Sequence, residues 1–213
     1  MAGDVVQGLR KITSAGSLPN AMDFLIDAAI NGKINTAIPV MVMSVQAGGA
    51  SGAAGYADVK PLICQSDAEG NALQPVTIFH LPYFRLQAGT AAVVLDPVAG
   101  DVGLAVFAQS DCSTLGQGAK QPVQAGSWRK FDQADGFYIG GFLNNNPSVF
   151  IELRQDGVIN MTAAAAINMT TPRLNVTGKI SAGGDISAGS ISSQNHTHGG
   201  VQSGSSSTGV PNS

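Results

Sequence analysis

A C-terminal stretch without any aromatic residue places the strongest constraint on how this chain can fold. All twelve aromatic side chains lie at or before Phe150, so residues 151–213 contain none. From residue 157 onward small polar residues dominate, and only three charged side chains remain: Arg173, Lys179 and Asp185. A segment of this composition cannot build a globular core from a single copy. A disordered tail is the alternative, but disorder usually accompanies high net charge and lacks regular apolar spacing.

The same stretch contains a repeat whose step shortens along the chain. Ile-Asn-Met-Thr begins at 159 and again at 167, Leu-Asn-Val-Thr begins at 174, and shorter Ile-Ser units begin at 180, 186 and 191. Successive units are therefore 8, 7, 6, 6 and 5 residues apart. In the early units the apolar residues occupy positions one and three, so on a strand they share one face while Asn and Thr share the other. The pattern predicts short β-strands with one apolar side.

Strands of this kind need partners. The apolar side chains of the repeat, from Ile159 to Ile191, form what we call the apolar seam. One copy of the chain would leave this seam exposed and the strand edges unpaired, an arrangement that favours association. Three chains wound about a common axis would bury the Ile and Met side chains at the centre and pair every edge. The sequence therefore predicts a homotrimer with an intertwined triple-stranded β-helix. The shortening step predicts a shaft that tapers towards the C-terminus, and a prism of constant width with irregular repeats remains the alternative.

The residues before the repeat have the composition of a conventional domain. Residues 17–32 predict a short amphipathic helix that Gly32 caps, with an apolar face formed by Met22, Leu25, Ile26, Ala29 and Ile30. Strand-like runs rich in Val and Ile follow, separated by Gly, Pro, Asn and Asp, at 34–46, 55–64, 76–79 and 103–109. Five or so short strands indicate a small barrel, and we expect an OB-fold.

The predicted chain is thus mainly β, with five segments. These are an N-terminal segment with the helix at 1–33, an OB-fold domain at 34–126, an aromatic-rich collar at 127–155, the tapering triple-stranded β-helix at 156–194, and an apex at 195–213.

Two of the chain's three histidines lie at the narrow end of the predicted shaft, in Asn195-His-Thr-His-Gly199. On an extended strand His196 and His198 project to the same face, so three chains would direct six imidazoles at the axis. Six nitrogens in two stacked triangles form an octahedron, which suits a divalent first-row ion such as iron better than tetrahedral zinc. An isolated His-x-His is more often a pair of surface histidines, but the end of a threefold shaft favours a metal site. We expect Val201, Val210 and Pro211 to cover the distal side of the metal.

Composition and motifs argue against several other functions. The formal charge of −3 offers no cationic surface for nucleic acid. No secretory signal pattern begins the sequence and no stretch approaches the ~20 apolar residues of a membrane span, so we expect a soluble protein made in the cytoplasm. Gly48–Gly55 lacks the Lys-Ser or Lys-Thr of a phosphate loop and is expected to be a flexible hairpin loop. No nucleophile-elbow motif accompanies His80. Cys64 and Cys112 are expected to be small buried residues.

Taken together, the sequence features resemble the central baseplate spikes of contractile-tailed phages and R-type pyocins. The resemblance rests on an OB-like domain containing Pro97-Val-Ala-Gly-Asp-Val-Gly103, on a repeat-built shaft without aromatics, and on the His-Thr-His tripeptide followed by a Gly/Ser/Thr tail. It implies that the OB domain seats the trimer on a baseplate hub protein. It also implies that His196 and His198 of three chains coordinate one iron ion in the apex. Some relatives contain an inserted lysozyme domain, for which this chain has no paired-carboxylate motif.

The function that the resemblance implies is mechanical. A spike at the baseplate tip of the virion tail, assembled in the host cytoplasm, would be driven through the host outer membrane while it caps the tail tube. A distal tail-fibre tip with the same threefold His site is the alternative, but such a tip would be expected to carry aromatic or charged residues near its end. A small secreted enzyme is a third hypothesis, and it would need clustered titratable groups that the sequence does not show. We therefore predict no catalytic residue and no small-molecule substrate.

Overall fold

The helix at the start of the described chain has ends that follow from local chemistry. The computed structural model describes residues 16–66, 71–116, 119–197, 200 and 204. Helix α1 spans Leu18–Lys33, and the Ser17 side chain caps it by accepting a hydrogen bond from the Asn20 N–H. The predicted cap at Gly32 is wrong, because the helix continues through that residue and ends where Ile34 adopts an extended backbone. Since this backbone leads directly towards the first strand, the helix end needs no left-handed glycine.

The chain divides into two structural units, Met1–Pro147 and Ser148–Ser213. The first unit is built on short antiparallel strands. In chain order these are β1 Ala37–Gln46, β2 Tyr56–Pro61, β3 Gln65–Ser66, β4 Ala72–Leu73, β5 Ile78–Pro82, β6 Leu86–Ala88, β7 Ala91–Val93, β8 Val102–Phe107 and β9 Gly136–Gly140. The prediction of a mainly β chain with a short helix before it is confirmed.

Five of these strands form one sheet in the order β5-β2-β1-β8-β9. All four strand pairs are antiparallel, and a parallel bridge between Tyr83 and Tyr138 joins the chain just after β5 to β9. The sheet therefore curls until its two edges meet at one point. Two strands, β1 and β2, lie within the runs that the sequence predicts as strands, and β5 and β8 overlap the other two runs. The fifth, β9, lies in the aromatic-rich stretch that the sequence assigns to the collar.

The core lies on the concave side of this curled sheet and follows from period-two alternation. On β1 the side chains of Val40 and Val42 are fully buried, and alternate residues of β2 and β8 are buried in the same way. Side chains that alternate along a strand share one face, so each strand contributes one row to the core. The buried apolar residues are Val40, Val42, Ala57, Val59, Ile78, Leu81, Tyr83, Ala105, Phe107 and Tyr138.

Tyr138 shows why a glycine is needed in the neighbouring strand. A Cβ added at Gly103 on β8 would lie 2.6 Å from the Tyr138 ring and 2.4 Å from the carbonyl oxygen of Ile139. Only glycine leaves room for this close approach.

Burial raises the pKa of the Tyr138 hydroxyl to about 12, with a contribution from the charge of Asp101. The residue therefore serves as a packing element and stays protonated at neutral pH.

A buried polar network organises the long connection between β8 and β9. The carboxylates of Asp111 and Asp135 each lie 3.1 Å from a guanidinium nitrogen of Arg129. Asp111 also accepts hydrogen bonds from the Ser113 N–H at 2.9 Å and from the Ser127 hydroxyl at 2.5 Å. Both carboxylates are almost completely buried, and buried charges are tolerated when they are paired and hydrogen-bonded in this way.

Asp111 makes the stability of this unit depend on pH. Hydrogen bonds from Ser113 and Ser127, together with the charge of Arg129, hold the pKa of Asp111 well below its ordinary value of 3.8. A carboxyl whose pKa is lowered by folding contributes stability above its unfolded-state pKa, and that contribution is lost as the pH falls below it. We expect the urea midpoint of the wild type to drop as the pH is lowered from about 5 to about 3. Asp111→Asn should lower the midpoint at pH 7 and reduce this drop; an unchanged pH dependence would contradict the assignment.

Both cysteines are free thiols. Cys112 is half-buried, and burial, together with the nearby charge of Asp135, raises the pKa of its thiol. The prediction of burial is wrong for Cys64, which is exposed in the turn after β2.

The second unit contains two small hairpins. Strand β10, Phe150–Leu153, pairs with β11, Ile159–Thr162, and β12, Ser187–Ala188, pairs with β13, Ile191–Ser192. The repeat units that begin at 159, 186 and 191 thus include strands, whereas residues 163–186 contain none. A strand needs a neighbouring edge for its backbone hydrogen bonds. Among the described residues, none pairs with residues 163–186 as a neighbouring strand.

The apolar residues of the repeat are exposed in the single chain. In the described part of this unit no residue is buried. Exposure ranges from 48% to 67% for the nine apolar side chains at Ile159, Met161, Ile167, Met169, Leu174, Val176, Ile180, Ile186 and Ile191. A single chain therefore leaves the apolar seam of the repeat exposed.

Candidate metal centre at the apex

The residues that precede the histidine pair form a tight hairpin. Strands β12 and β13 are joined by a turn in which Gly189 has a φ of 62°, a left-handed conformation that glycine adopts without steric cost. The Ser193 N–H donates to the carbonyl oxygen of Ile186 at 2.9 Å and extends the pairing by one bond. The hairpin brings the start of the apex back beside Asp185.

Asp185 fixes the chain just before the histidines. One carboxylate oxygen accepts a hydrogen bond from the Gln194 N–H at 3.1 Å, and the other accepts one from the Ser187 hydroxyl at 3.3 Å. A side-chain hydrogen bond from Ser192, the bond from Gln194 and further donors lower the pKa of Asp185. The carboxylate is therefore ionised at neutral pH and acts as an acceptor for the turn at 192–195.

His196 follows this turn with its ring exposed. Its Nδ1 lies 3.0 Å from the carbonyl oxygen of Ser192. A carbonyl can only accept, so this hydrogen bond requires a proton on Nδ1, and in the neutral ring the lone pair then lies on Nε2. Metal-binding histidines commonly have this arrangement, in which one ring nitrogen donates to a backbone carbonyl and the other binds the metal. The surroundings of His196 therefore fit a ligand that binds through Nε2.

The remaining predicted apex residues are only partly described. His198 lies outside the described residues, as do Val201, Val210 and Pro211, the predicted cover of the metal. His196 directly follows the turn at 193–195 and is not part of an assigned strand. Within the described part of the chain, no three His, Cys, Asp or Glu side chains of one chain gather into a possible metal site.

Two contributors to this site were missed by sequence reasoning. The sequence marks Asp185 only as one of the few charges in the tail, and Ser192 only as part of the last repeat unit. The available signal was the isolation of Asp185, because a lone carboxylate among small polar residues next to a turn is a frequent acceptor for backbone N–H groups. The carbonyl of Ser192 has no sequence signal, since every residue has one.

The C-terminal segment matches a known family model. Residues 190–212 match the GpV Apex motif, and the match includes both His196 and His198. This motif is the apex of the phage baseplate spike, and the recognition of a spike tip from the sequence is confirmed for this segment. The similarity is thus to the apex of phage baseplate spikes, and it covers the C-terminal residues 190–212 of the chain. No curated protein was found to match the chain.

The described helical residues include no segment with the length and apolar character that crossing a bilayer requires.

Proposed function

We propose that this chain is one subunit of a homotrimeric spike that forms the tip of a contractile, phage-like tail, pierces the host outer membrane and caps the tail tube. The observation that carries the proposal is the apex motif at residues 190–212. It lies at the end of a unit whose apolar repeat is exposed in the single chain. A structural spike explains both the apex motif and the exposed repeat. The apex would end a shaft formed by the repeat, and further copies of the chain would cover the apolar side chains of that shaft.

The exposed repeat supports the trimer. Fully burying one Ile, Leu or Met side chain stabilises a protein by about 1.5–3 kcal/mol, and the nine repeat side chains are about half to two-thirds exposed. Three chains wound into a triple-stranded β-helix would bury this seam on the axis. They would also supply the strand edges that residues 163–186 lack within one chain.

The curled sheet of the first unit supports an OB-type barrel. Strands β1, β2 and β5 form an antiparallel meander, as the first three strands of such a barrel do. Strand β1 also pairs with β8, and β8 pairs with β9. The parallel bridge between Tyr83 and Tyr138 joins the two edges of the sheet, at the end of β5 and on β9, as closure of a barrel requires. In the proposed spike this barrel seats the trimer on a baseplate hub protein, as the resemblance to phage spikes implies.

The proposed metal is one iron ion per trimer, held by His196 and His198 of three chains. The hydrogen bond between His196 and the Ser192 carbonyl fits this role. It places a proton on Nδ1, so that in the neutral ring Nε2 is the nitrogen that can bind a metal. When bound, the ion supplies structural cross-linking of three chain ends. Six protein ligands would leave no coordination position for water or substrate, so we propose that the spike is not an enzyme.

Native mass measurement together with elemental analysis tests the proposed function. Full-length protein purified without a histidine tag should have the mass of a trimer and should contain one iron per three chains. A monomer would refute the spike. A trimer whose tip binds a cell-surface receptor at equilibrium would favour the tail-fibre alternative, and the localisation of the protein at the baseplate of intact virions would support the spike.

A further inference from the structure

One carboxylate, that of Asp185, holds the turn before the histidine pair at two points. One of its oxygens accepts the N–H of Gln194, which lies nine residues later in the chain, at 3.1 Å. The Ser192 hydroxyl donates to the same carboxylate. Between these two residues, the Ser193 N–H donates to the carbonyl oxygen of Ile186 at 2.9 Å. Three successive residues are therefore tied back to the start of the hairpin.

Ser192 connects this carboxylate to the proposed metal ligand. Its hydroxyl accepts the Asn195 N–H at 2.9 Å while it donates to Asp185. Its carbonyl oxygen accepts the Nδ1–H of His196, with the two heavy atoms 3.0 Å apart. The hydroxyl and the carbonyl of Ser192 are thus both engaged. The position of the carbonyl oxygen that binds His196 therefore depends on the hydrogen bonds that Asp185 accepts.

The first hairpin of the second unit offers a comparison within the same chain. Asp156 lies in the turn between β10 and β11, where its carboxylate accepts the Val158 N–H at 3.3 Å and the Nε–H of Arg154 at 3.1 Å. It ties a turn much as Asp185 does, but no histidine lies in or beside that hairpin. Asp185 differs because the turn that it holds supplies the acceptor for a histidine ring.

From this geometry we propose that Asp185 is a positioning residue of the apex, which holds the Ser192 carbonyl where it binds the Nδ1–H of His196, so that Nε2 is the nitrogen that can bind the metal. All the residues in this arrangement belong to one chain, so each chain would present His196 in the same tautomer before the three chains meet. The inference rests on the proposed function, in which His196 is a ligand at the tip.

A ligand that is fixed in advance should bind more tightly. A histidine whose other ring nitrogen is held by a backbone carbonyl has a defined ring orientation and tautomer, so less conformational freedom is lost on binding. Partners of this kind contribute a factor of about 10–100 to metal affinity. Loss of the Asp185 carboxylate in all three chains should therefore be measurable in metal binding.

Iron binding by the full-length trimer tests this role. Metal-free trimer is titrated with iron(II) in oxygen-free buffer, in competition with a chromogenic chelator. Asp185→Ala should weaken iron binding by about tenfold or more. Asp185→Asn should restore part of the affinity, because the amide oxygen can still accept the Gln194 N–H. Equal affinities of the wild type and Asp185→Ala would overturn the proposal.

The tautomer of His196 is the readout that a merely structural role would not change. Solid-state NMR of metal-free protein with isotope-labelled histidine identifies the ring nitrogen that carries the proton. A background with His80→Ala and His198→Ala leaves His196 as the single labelled ring. At about pH 8, where an unperturbed imidazole is neutral, the proton should be on Nδ1, and Asp185→Ala should give a mixture of both tautomers. Weaker iron binding with an unchanged tautomer would overturn the proposal.

Asp156→Ala is the matched control, because it removes a carboxylate from a turn of the same unit that has no histidine beside it. It should leave both the iron affinity and the His196 tautomer unchanged. Equal weakening by Asp156→Ala would reveal a general loosening of the unit and overturn the role of Asp185.

Native masses of the same samples separate the two proposals. A wild-type chain that is monomeric, or a wild-type trimer that binds no iron, refutes the proposed metal-capped spike together with this inference. A wild-type trimer that binds iron no more tightly than Asp185→Ala refutes the role of Asp185 alone.

Discussion

A chain that ends at Asn146 is expected to keep a folded first unit and to lose the resistance of the trimer to denaturant. The core of the curled sheet lies wholly before this residue, so its packing survives the truncation. The apolar repeat, with its exposed side chains, lies wholly after it. Interwoven strands slow unfolding because all three chains must separate together, and their loss should increase the unfolding rate by orders of magnitude. The measurement is the rate of loss of the trimer band in detergent and in guanidinium, with circular dichroism of the truncated chain as the check on folding.

A pair of point variants in the repeat separates the apolar seam from the rest of the shaft. Met161 and Thr162 are neighbours on β11 and therefore point to opposite faces of the strand. Met161→Asp should prevent trimer formation at micromolar concentration, because three unpaired carboxylates would be buried on the axis at a cost of several kcal/mol each. Thr162→Asp adds the same charge on the outer face and should leave the trimer intact. If the two variants behave alike, or if the truncated chain resists detergent as well as the full chain, the seam is not the trimer interface.

Replacing His196 and His198 with alanine together is expected to remove all iron from the trimer. Each chain would lose both of its proposed ligands, and no other His, Cys, Asp or Glu cluster in the described residues offers a replacement. Because ligands from three chains converge only in the assembled tip, metal binding contributes to the stability of the apex. The tip should therefore become more sensitive to proteases, while the first unit keeps its unfolding midpoint. Elemental analysis and limited proteolysis of the same preparation measure both effects.

His80→Ala is the matched control for this experiment. His80 lies on β5 in the first unit, where its ring stacks on Tyr56 with the centroids 3.8 Å apart. Its replacement removes the third histidine of the chain and should leave one iron per trimer. A wild-type trimer without metal, or with three ions, would exclude the proposed site. Retention of iron by the double variant would assign the metal to other ligands.

Local pattern was sufficient to predict much of the first unit. The alternation at Val40 and Val42 identifies a strand face and its buried side from neighbouring residues alone. The helix was predicted to within one residue at each end, because Ser17 and the spacing of apolar residues are local signals. The pairing of β1 with β8 and the bridge between Tyr83 and Tyr138 were beyond such reasoning, since they join residues more than fifty positions apart. Strand β9 alternates in burial, but its sequence Gly-Phe-Tyr-Ile-Gly contains no charged or amide side chain that would show this alternation.

The candidate metal centre was predictable in a different sense. The His-Thr-His tripeptide and its place after a shortening repeat are features of the sequence, and the apex motif match covers the same residues. The support from Asp185 and from the Ser192 carbonyl depends on the hairpin of β12 and β13, which brings those atoms to the turn before His196. The spacing of the histidines predicts the ligands, but the hydrogen bonds that orient a ligand can be identified only in the three-dimensional structure.

The sequence by itself determined that the chain is mainly β, that its C-terminal part has one apolar face, and that a histidine pair ends this part, because each of these depends on composition and short-range periodicity. Only the tertiary structure decided which apolar faces remain uncovered. The predicted apolar face of α1 is exposed. The network of Asp111, Arg129 and Asp135 organises the connection between β8 and β9. The physical reason is that burial depends on which distant segments pack together, and periodicity marks an apolar face without specifying the surface that covers it.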